Sequence, residues 1–174
     1  QGDHLISSKY IFGNTNSLLG TLQDLGVEVS LVDATDVDQV KAAWRPNTRM
    51  VFSETFANPS TLLADLQGIG NWCEEQKLLF VIDNTLSTPL LAPAKKFKAG
   101  LAINSLSKAI GGHGHALGGM VTDTRFYDWT AYPNIFAAYR TGNAQSFVLT
   151  QIKKNGLRDI RARMCSDTAY RLSA

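Results

Sequence analysis

Six short runs, each with apolar residues and at least one β-branched residue, alternate along this chain with segments of helical periodicity, and this alternation limits the fold more than any other feature. Strands separated by helices are typical of βαβ units around a parallel sheet. We therefore expect an α/β fold with a mostly parallel sheet and helices on both faces. The predicted strands are Leu5–Ser7, Glu28–Val32, Arg49–Ser53, Leu79–Ile82, Leu101–Asn104 and Gly119–Val121.

The predicted helices are bounded by capping and breaking residues. Leucines recur at helical spacing through Thr15–Leu25, and Gly26 follows as a left-handed stop. An aspartate side chain can accept the free N–H groups at the start of a helix. The remaining predictions are a helix capped by Asp36 that runs to Trp44 before Pro46, a helix capped by Asp65 with Leu66, Ile69, Trp72 and Cys73 on one face, and one or two long helices from Asn143 to Ala174, broken near Gly156.

The composition excludes several classes of protein. With 174 residues, 44% of them hydrophobic and 18% charged, the chain can bury a core as one domain and is not a disordered protein. A net charge of +2 gives no basic excess for nucleic acid or an anionic membrane. No apolar run approaches the roughly 18 residues that span a bilayer, so we expect a cytosolic protein without membrane partners.

Two further features concern the chain's ends and its cysteines. The sequence begins with Gln1 and Gly2 rather than methionine and enters an apolar segment at once, so we interpret it as a fragment or a processed chain. Of the two cysteines, Cys73 falls inside a helical pattern and is expected to be a small buried hydrophobe rather than half of a disulfide with Cys165.

Polar residues follow three of the predicted strands. Glu54 and Asn58 come after the third strand, Asp83 directly after the fourth, and the segment Asn104 to Lys108 after the fifth, followed by a glycine cluster. Because parallel strands end at the same edge of a sheet, these residues are expected to share one rim, where open α/β sheets bind their ligands.

This set of side chains suits one kind of ligand. A partly desolvated lysine such as Lys108 is a usable amine nucleophile toward a carbonyl, and Asp83 at a strand end needs a cation or a donor. The hydroxyls of Ser105 and Ser107, two residues apart, can donate to one phosphate. An aldehyde cofactor that carries a phosphate and a pyridine nitrogen would use all four residues.

The chain resembles the pyridoxal phosphate enzymes of cysteine and methionine metabolism, which include cystathionine γ-synthase, cystathionine lyases, methionine γ-lyase and O-acetylhomoserine sulfhydrylases. Asn58 and Asp83 lie 25 residues apart, as do Asp83 and Lys108, and this spacing matches the family. The similar motifs cover nearly the whole chain; they are Gly2-Asp3, Phe12-Gly13-Asn14-Thr15, Glu54-Thr55-Phe56-Ala57-Asn58-Pro59, Val81-Ile82-Asp83-Asn84-Thr85, Asn104-Ser105-Leu106-Ser107-Lys108 with Gly112-His113, and Asn155-Gly156-Leu157-Arg158.

The resemblance implies the large cofactor-binding domain of fold-type I, or aspartate aminotransferase-like, enzymes, and it assigns roles to individual residues. Lys108 would hold pyridoxal 5'-phosphate as a Schiff base and move protons on the substrate. Asp83 would keep the pyridine nitrogen protonated, Asn58 would hydrogen-bond the phenolic oxygen of the ring, and Ser105 and Ser107 would bind the phosphate.

One position departs from the family. Phe12 stands where a tyrosine usually stacks on the pyridine ring, so it keeps the stacking face and lacks the phenol. Neighbouring Tyr10 is the candidate for supplying a hydroxyl instead. His113, in a glycine turn, is assigned to structure rather than chemistry.

The resemblance further implies γ-replacement on a homoserine ester by a thiol or sulfide, with elimination by a lyase as the alternative. The family forms homotetramers in which two subunits build each active site, so self-association is expected. Residues 1–174 would form part of the cofactor domain, without its amino-terminal portion and without the substrate domain that follows it. The isolated chain is therefore expected to turn over slowly or not at all.

Other interpretations remain. Ser105 and Lys108 also fit the Ser-x-x-Lys motif of serine β-lactamases, but they follow a strand and no Ser-Asp-Asn is present. His113 and His115 lack a third metal ligand at the usual spacing, and Gly112 to Leu117 misses the last glycine of a dinucleotide fingerprint. A non-catalytic domain that keeps the fold as a binding or assembly module is the main alternative to an enzyme.

Overall fold

Six strands form one sheet in the computed structural model, which describes residues 2–159 and 164–173. They are β1 (His4–Ser8), β2 (Glu28–Val32), β3 (Thr48–Glu54), β4 (Leu79–Asp83), β5 (Leu101–Ser105) and β6 (Gly119–Asp123). Their order across the sheet is β2-β1-β3-β4-β5-β6, and every neighbouring pair is parallel except β5 and β6. The six predicted strands and the mostly parallel sheet are therefore confirmed.

Helices connect the strands, and the predicted caps are present. The α-helices are α1 (Gly13–Asp24), α2 (Val37–Ala42), α3 (Leu66–Gln76), α4 (Thr88–Leu91), α5 (Phe147–Gln151) and α6 (Ser166–Ser173). The Asp36 side chain accepts from the Asp38 N–H at 2.9 Å, and that of Asp65 accepts from the Gly68 N–H at 2.9 Å. Gly26 has a φ of +87° after α1, as its left-handed role requires.

Three helices differ from the prediction, α1 only by beginning at Gly13 rather than Thr15 and ending at Asp24 rather than Leu25. Helix α2 ends at Ala42 rather than Trp44, because the Trp44 N–H bonds to the Lys41 carbonyl at 3.1 Å in a tighter turn. Helix α4 was not predicted at all. It has only four residues, too few for a periodic pattern, and Pro89 lies in its first turn, where the missing N–H does no harm.

Helices cover both faces of the sheet, as predicted. On one face α2 and α3 pack against alternate strand residues such as Ile6, Phe80 and Ile82. On the other face α1 and α5 pack against the intervening residues, among them Leu5 and Val81. Because both faces are buried, the central strand β4 is a nearly continuous apolar run, Leu79–Ile82.

The segment from Asn143 onward is mostly helical, as predicted, but it is irregular and the predicted break near Gly156 is not found. The Asn143 side chain caps a short 3₁₀ turn at Ala144–Ser146, α5 follows, and Ile152–Asp159 forms wide π-helical turns that continue through Gly156 without a break there. Contacts with the preceding loop hold this segment in place: the Phe136 N–H donates to Gln151 Oε1 at 2.7 Å, and the Tyr139 hydroxyl donates to Asn155 Oδ1 at 2.8 Å. Residues 160–163 and 174 lie outside the described part of the chain.

Both cysteines have free thiols. Cys73 lies on the buried face of α3, where burial raises the pKa of its thiol, and Cys165 is exposed. No helix within residues 2–159 and 164–173 is both long enough and apolar enough to cross a membrane.

Candidate active site

The carboxyl ends of β3, β4 and β5 meet at a cleft of about 190 Å³. Glu54 pairs with Asp83 across β3 and β4, and Lys108 lies three residues beyond the end of β5. The predicted convergence of these strand ends on one rim is confirmed. The residues that line the cleft are Phe12, Glu54, Thr55, Phe56, Asn58, Asp83, Thr85, Leu86, Ser105 and Lys108.

A chain of hydrogen bonds orients Asp83. Its Oδ1 accepts from the Thr85 N–H at 3.0 Å, and Thr85 Oγ1 in turn accepts from the Ser105 N–H at 2.9 Å. Within the described residues no hydrogen bond or ion pair engages the second oxygen, Oδ2. Asp83 is therefore held in a fixed orientation and keeps one carboxylate oxygen for a ligand.

Buried polar side chains fix the loop that follows β4. Asn84 Nδ2 donates to the Ala92 carbonyl at 2.8 Å, and Asn104 Nδ2 donates to the Asn84 carbonyl at 2.9 Å. The Ser87 hydroxyl bonds to Thr55 Oγ1 at 2.8 Å. These bonds join the ends of all three strands beneath the cleft, so their relative positions do not depend on exposed loops.

Lys108 presents an accessible amine. It lies in a wide turn, Leu106–Ile110, that is closed by a bond of 3.0 Å from the Gly111 N–H to the Leu106 carbonyl. Its own backbone is non-helical, with φ −100° and ψ −134°. Its side chain is exposed, so the partial desolvation expected from the sequence is not found, and in the part of the chain that the structure describes nothing hydrogen-bonds or pairs with Nζ. The amine is free to meet a ligand in the cleft.

Of the six residues predicted to bind the cofactor, Ser107 alone does not line the cleft. Its hydroxyl accepts from the Gly118 N–H at 2.9 Å and donates to the Gly118 carbonyl at 3.3 Å. A contact with phosphate would require its single hydrogen to leave that carbonyl. Ser105, by contrast, lines the cleft with no partner for its hydroxyl among the described residues. The phosphate role of Ser107 stays a prediction.

Glu54 is a cleft residue for which sequence reasoning assigned no role. Its side chain is only 7% exposed, and Oε1 accepts from the Phe12 N–H at 2.7 Å. Burial, with a smaller contribution from the charge of Asp83, raises the pKa of this carboxyl, although the Phe12 bond opposes the rise. The sequence signal that could have found Glu54 was its position at the end of a buried strand. For Thr85 it was the position two residues after such a strand.

Two other predicted residues lie outside the cleft. The Tyr10 hydroxyl donates to Asp33 Oδ2 at 3.0 Å, so the structure does not bring it to the cleft beside Phe12. His113 Nδ1 is 3.0 Å from the Gly111 carbonyl, which agrees with its assignment to structure. The His113 and His115 rings are 5.6 Å apart, and no group of three or more metal-ligating side chains occurs within the described ranges.

The parallel sheet, the helices on both faces and the cleft at the strand ends are those of a fold-type I pyridoxal phosphate-dependent enzyme. The chain belongs to the Cys/Met metabolism PLP-dependent enzyme family, whose model matches residues 1–172. The family that the motifs indicated is thereby confirmed, and with it the cofactor on which its members depend.

Relatives of known activity agree with this assignment. The chain is 37% identical over 131 residues to O-acetyl-L-homoserine sulfhydrylase of Corynebacterium glutamicum, which covers 74% of the chain and 30% of that protein. It is 36% identical over 122 residues to L-methionine gamma-lyase of Fusobacterium nucleatum subsp. polymorphum. This alignment covers 69% of the chain and 31% of that protein. The chain thus spans about a third of the length of these relatives.

Solved structures extend the likeness to nearly the whole chain. O-acetylhomoserine sulfhydrylase of Wolinella succinogenes superimposes with a TM-score of 0.89 at 29% identity, over 99% of this chain and 49% of that one. An O-acetylhomoserine (thiol)-lyase of Campylobacter jejuni, which carries N'-pyridoxyl-lysine-5'-monophosphate, superimposes with a TM-score of 0.84 at 28% identity, over 99% and 46%.

Proposed function

We propose that the cleft binds pyridoxal 5'-phosphate on Lys108 and that the protein exchanges the γ-substituent of a homoserine ester for a thiol or sulfide. The observation that carries the proposal is the presence of Asp83, Lys108, Ser105 and Phe12 around one cleft. When bound, pyridoxal phosphate supplies an aldehyde that amines capture and a protonated pyridine ring that withdraws electrons from a neighbouring carbanion.

The residues present fit this cofactor. The cleft offers an amine without a partner at Lys108, one unengaged carboxylate oxygen at Asp83 and an unengaged hydroxyl at Ser105. Phe12, which is 46% exposed, provides an aromatic face at the same cleft. These groups match the aldehyde, the pyridine nitrogen, the phosphate and the flat ring of the cofactor.

Each residue then has a distinct task. Asp83 Oδ2 holds the proton on the pyridine nitrogen, because a carboxylate stabilises the cation beside it. Asn58 binds the phenolic oxygen, and Ser105 donates to the phosphate. Lys108 Nζ would hold the cofactor aldehyde and would move protons at the substrate Cα and Cβ. Phe12 stacks on the ring and has no hydroxyl with which to transfer a proton.

The choice between replacement and elimination rests on the relatives. Both solved structures described above are named for O-acetylhomoserine chemistry, which supports replacement. Elimination by a γ-lyase is the second candidate, because L-methionine gamma-lyases match with nearly the same identity. Because residues 1–174 are expected to turn over slowly at best, the assay incubates the protein with O-acetylhomoserine, with and without sulfide, for long enough to detect slow turnover. Replacement predicts homocysteine only when sulfide is present, whereas elimination predicts a 2-oxo acid in both cases.

Self-association is also proposed. Leu63 and Leu91 are 63% and 77% exposed and line a groove with Phe56 and Phe97. Exposed apolar side chains grouped in this way are typical of surfaces that meet another protein chain. Sedimentation over a range of concentrations is expected to show a species larger than 19.0 kDa; a monomer at every concentration would refute it.

Borohydride trapping tests the cofactor site. Purified protein is mixed with pyridoxal phosphate, scanned for an imine absorption band, reduced and mapped by peptide mass spectrometry. We expect one pyridoxyl group, on Lys108, and no band in Lys108→Ala. Lys95→Ala, which removes an exposed lysine away from the cleft, serves as the control and should behave like the wild type. Labelling spread over surface lysines would favour the non-catalytic alternative.

A further inference from the structure

We propose that Glu54 is a positioning residue that fixes the Phe12 ring as one wall of the cleft, in register with Asp83. The inference rests on the proposed function, because the Phe12 ring has a role as a wall only if a flat cofactor binds against it. None of the roles implied by the family motifs involves Glu54.

The backbone of Glu54 is fixed relative to Asp83. Glu54 is the last residue of β3, and in the register of the parallel pair it lies directly opposite Asp83, the last residue of β4. The Thr55 N–H donates to the Asp83 carbonyl at 3.0 Å and continues this pairing past the strand. Anything bound firmly to the Glu54 side chain is thereby held at a set place relative to Asp83.

Phe12 depends on that side chain. It is the residue that starts α1, and no side chain of its own caps the helix. Phe12 is 46% exposed, so packing covers only part of this residue. The bond of 2.7 Å from its N–H to Glu54 Oε1 joins the start of the helix to the sheet. A charge-assisted bond from a backbone N–H at a helix start is among the stronger hydrogen bonds in proteins.

A purely structural role makes a different prediction. If Glu54 only stabilised the start of α1, its removal would lower the stability of the fold. Cofactor affinity would then fall only as it does in any variant that is equally destabilised. If Glu54 acts through Phe12, its effect on the cofactor must vanish once the Phe12 ring is gone. A double-mutant cycle separates the two cases, because coupled residues give non-additive losses.

The first measurement needs no cofactor. Hydrogen exchange at the Phe12 amide is compared in the wild type, Glu54→Gln, Glu54→Ala and the exposed-surface control Glu75→Ala. Glu54→Ala should exchange about tenfold faster or more, since the N–H loses its acceptor. Glu54→Gln keeps an acceptor oxygen and should stay close to the wild type, as should Glu75→Ala. Unchanged protection in Glu54→Ala overturns the proposal.

The second measurement is the Kd for pyridoxal phosphate in Glu54→Ala, Phe12→Ala and the double variant. We expect Glu54→Ala to bind about tenfold more weakly, and the double variant to bind no more weakly than Phe12→Ala. Losses that multiply, or a wild-type Kd in Glu54→Ala, overturn it. If Glu54→Ala does not fold, Glu54→Asp withdraws the carboxylate by one methylene and replaces it in both measurements. If the wild type binds no cofactor, the proposed function fails, whereas the exchange result still decides whether Glu54 holds Phe12.

Discussion

Glu54 and Asp83 are direct partners in the register of β3 and β4, so two carboxylates end neighbouring strands at one cleft. Burial and the nearby charge of Asp83 raise the pKa of Glu54 above its ordinary value of 4.5. Asp83 is less buried and has one oxygen bonded to the Thr85 N–H. Asp83, the less buried carboxylate of the pair, is therefore the one with a free oxygen for a cationic ligand.

The raised pKa predicts a pH-dependent stability. Because the folded pKa lies above the unfolded one, the group contributes stability that is present below pH 4.5 and is lost as the pH rises through the folded value. Glu54→Gln has no charge to bury, so it should not lose this stability. Its free energy of unfolding should therefore rise relative to that of the wild type between about pH 4 and about pH 7. Urea unfolding at both pH values measures the change; parallel pH profiles would show that the pKa of Glu54 is not raised.

The two serines are separated by comparing pyridoxal phosphate with pyridoxal, which lacks the phosphate. If a hydroxyl binds the phosphate, its removal weakens only the phosphorylated ligand. Ser105→Ala should lose about fivefold to tenfold in affinity for pyridoxal phosphate and little for pyridoxal. Ser107→Ala should do the same if its hydrogen turns from Gly118 toward the phosphate. A Ser107→Ala variant that keeps the preference for the phosphorylated ligand would assign this hydroxyl to the Gly118 backbone alone.

Two helical glycines provide a test of the packing. A Cβ at Gly70 on α3 would collide with the Phe97 carbonyl oxygen, whereas a Cβ at Gly20 on α1 meets nothing within 4 Å. Gly70→Ala should therefore destabilise the fold by about 1–3 kcal/mol, and Gly20→Ala should stabilise it by about 0.5–1 kcal/mol. Thermal unfolding of both variants checks the pair, and equal shifts in Tm would contradict the packing of α3 on the turn at Ala94–Phe97.

Most of the sheet and much of the site could be predicted from the sequence because the signals are local. An apolar run such as Leu79–Ile82 is buried on both faces, so it predicts a strand whatever lies around it. Asp65 caps its helix through atoms only three residues away. Asp83 and Lys108 were expected at one rim because parallel strands end together.

Distant contacts decide the features that the sequence alone could not settle. The wide turns at Ile152–Asp159 adjoin bonds from Phe136 and Tyr139 that no local pattern reveals. Tyr10 is held by Asp33, 23 residues away, and Ser107 is held by the backbone of Gly118. The role of Glu54 depends on a partner 42 residues earlier in the chain.

Asp33 should make the fold sensitive to acid. Hydrogen bonds from the Thr35 hydroxyl and N–H, from Tyr10 and from Lys9 lower the pKa of its carboxyl to about 2 from the ordinary 3.8. A depressed folded pKa contributes stability that is present above pH 3.8 and is lost as the pH falls through about 2. Asp33→Asn should lose less stability than the wild type over that range. Acid titrations followed by circular dichroism compare the two, and coincident curves would contradict the prediction.

The central claim is that Asp83 and Lys108 hold opposite ends of one pyridoxal phosphate ring. The most direct test is the ¹⁵N NMR shift of the pyridine nitrogen in labelled cofactor bound to the wild type and to Asp83→Asn. In the wild type we predict the ¹⁵N shift of a protonated pyridine nitrogen, and in Asp83→Asn that of an unprotonated one. The cofactor should be attached to Lys108 in both proteins. An unprotonated nitrogen in the wild type, or the same shift in both proteins, would contradict the claim.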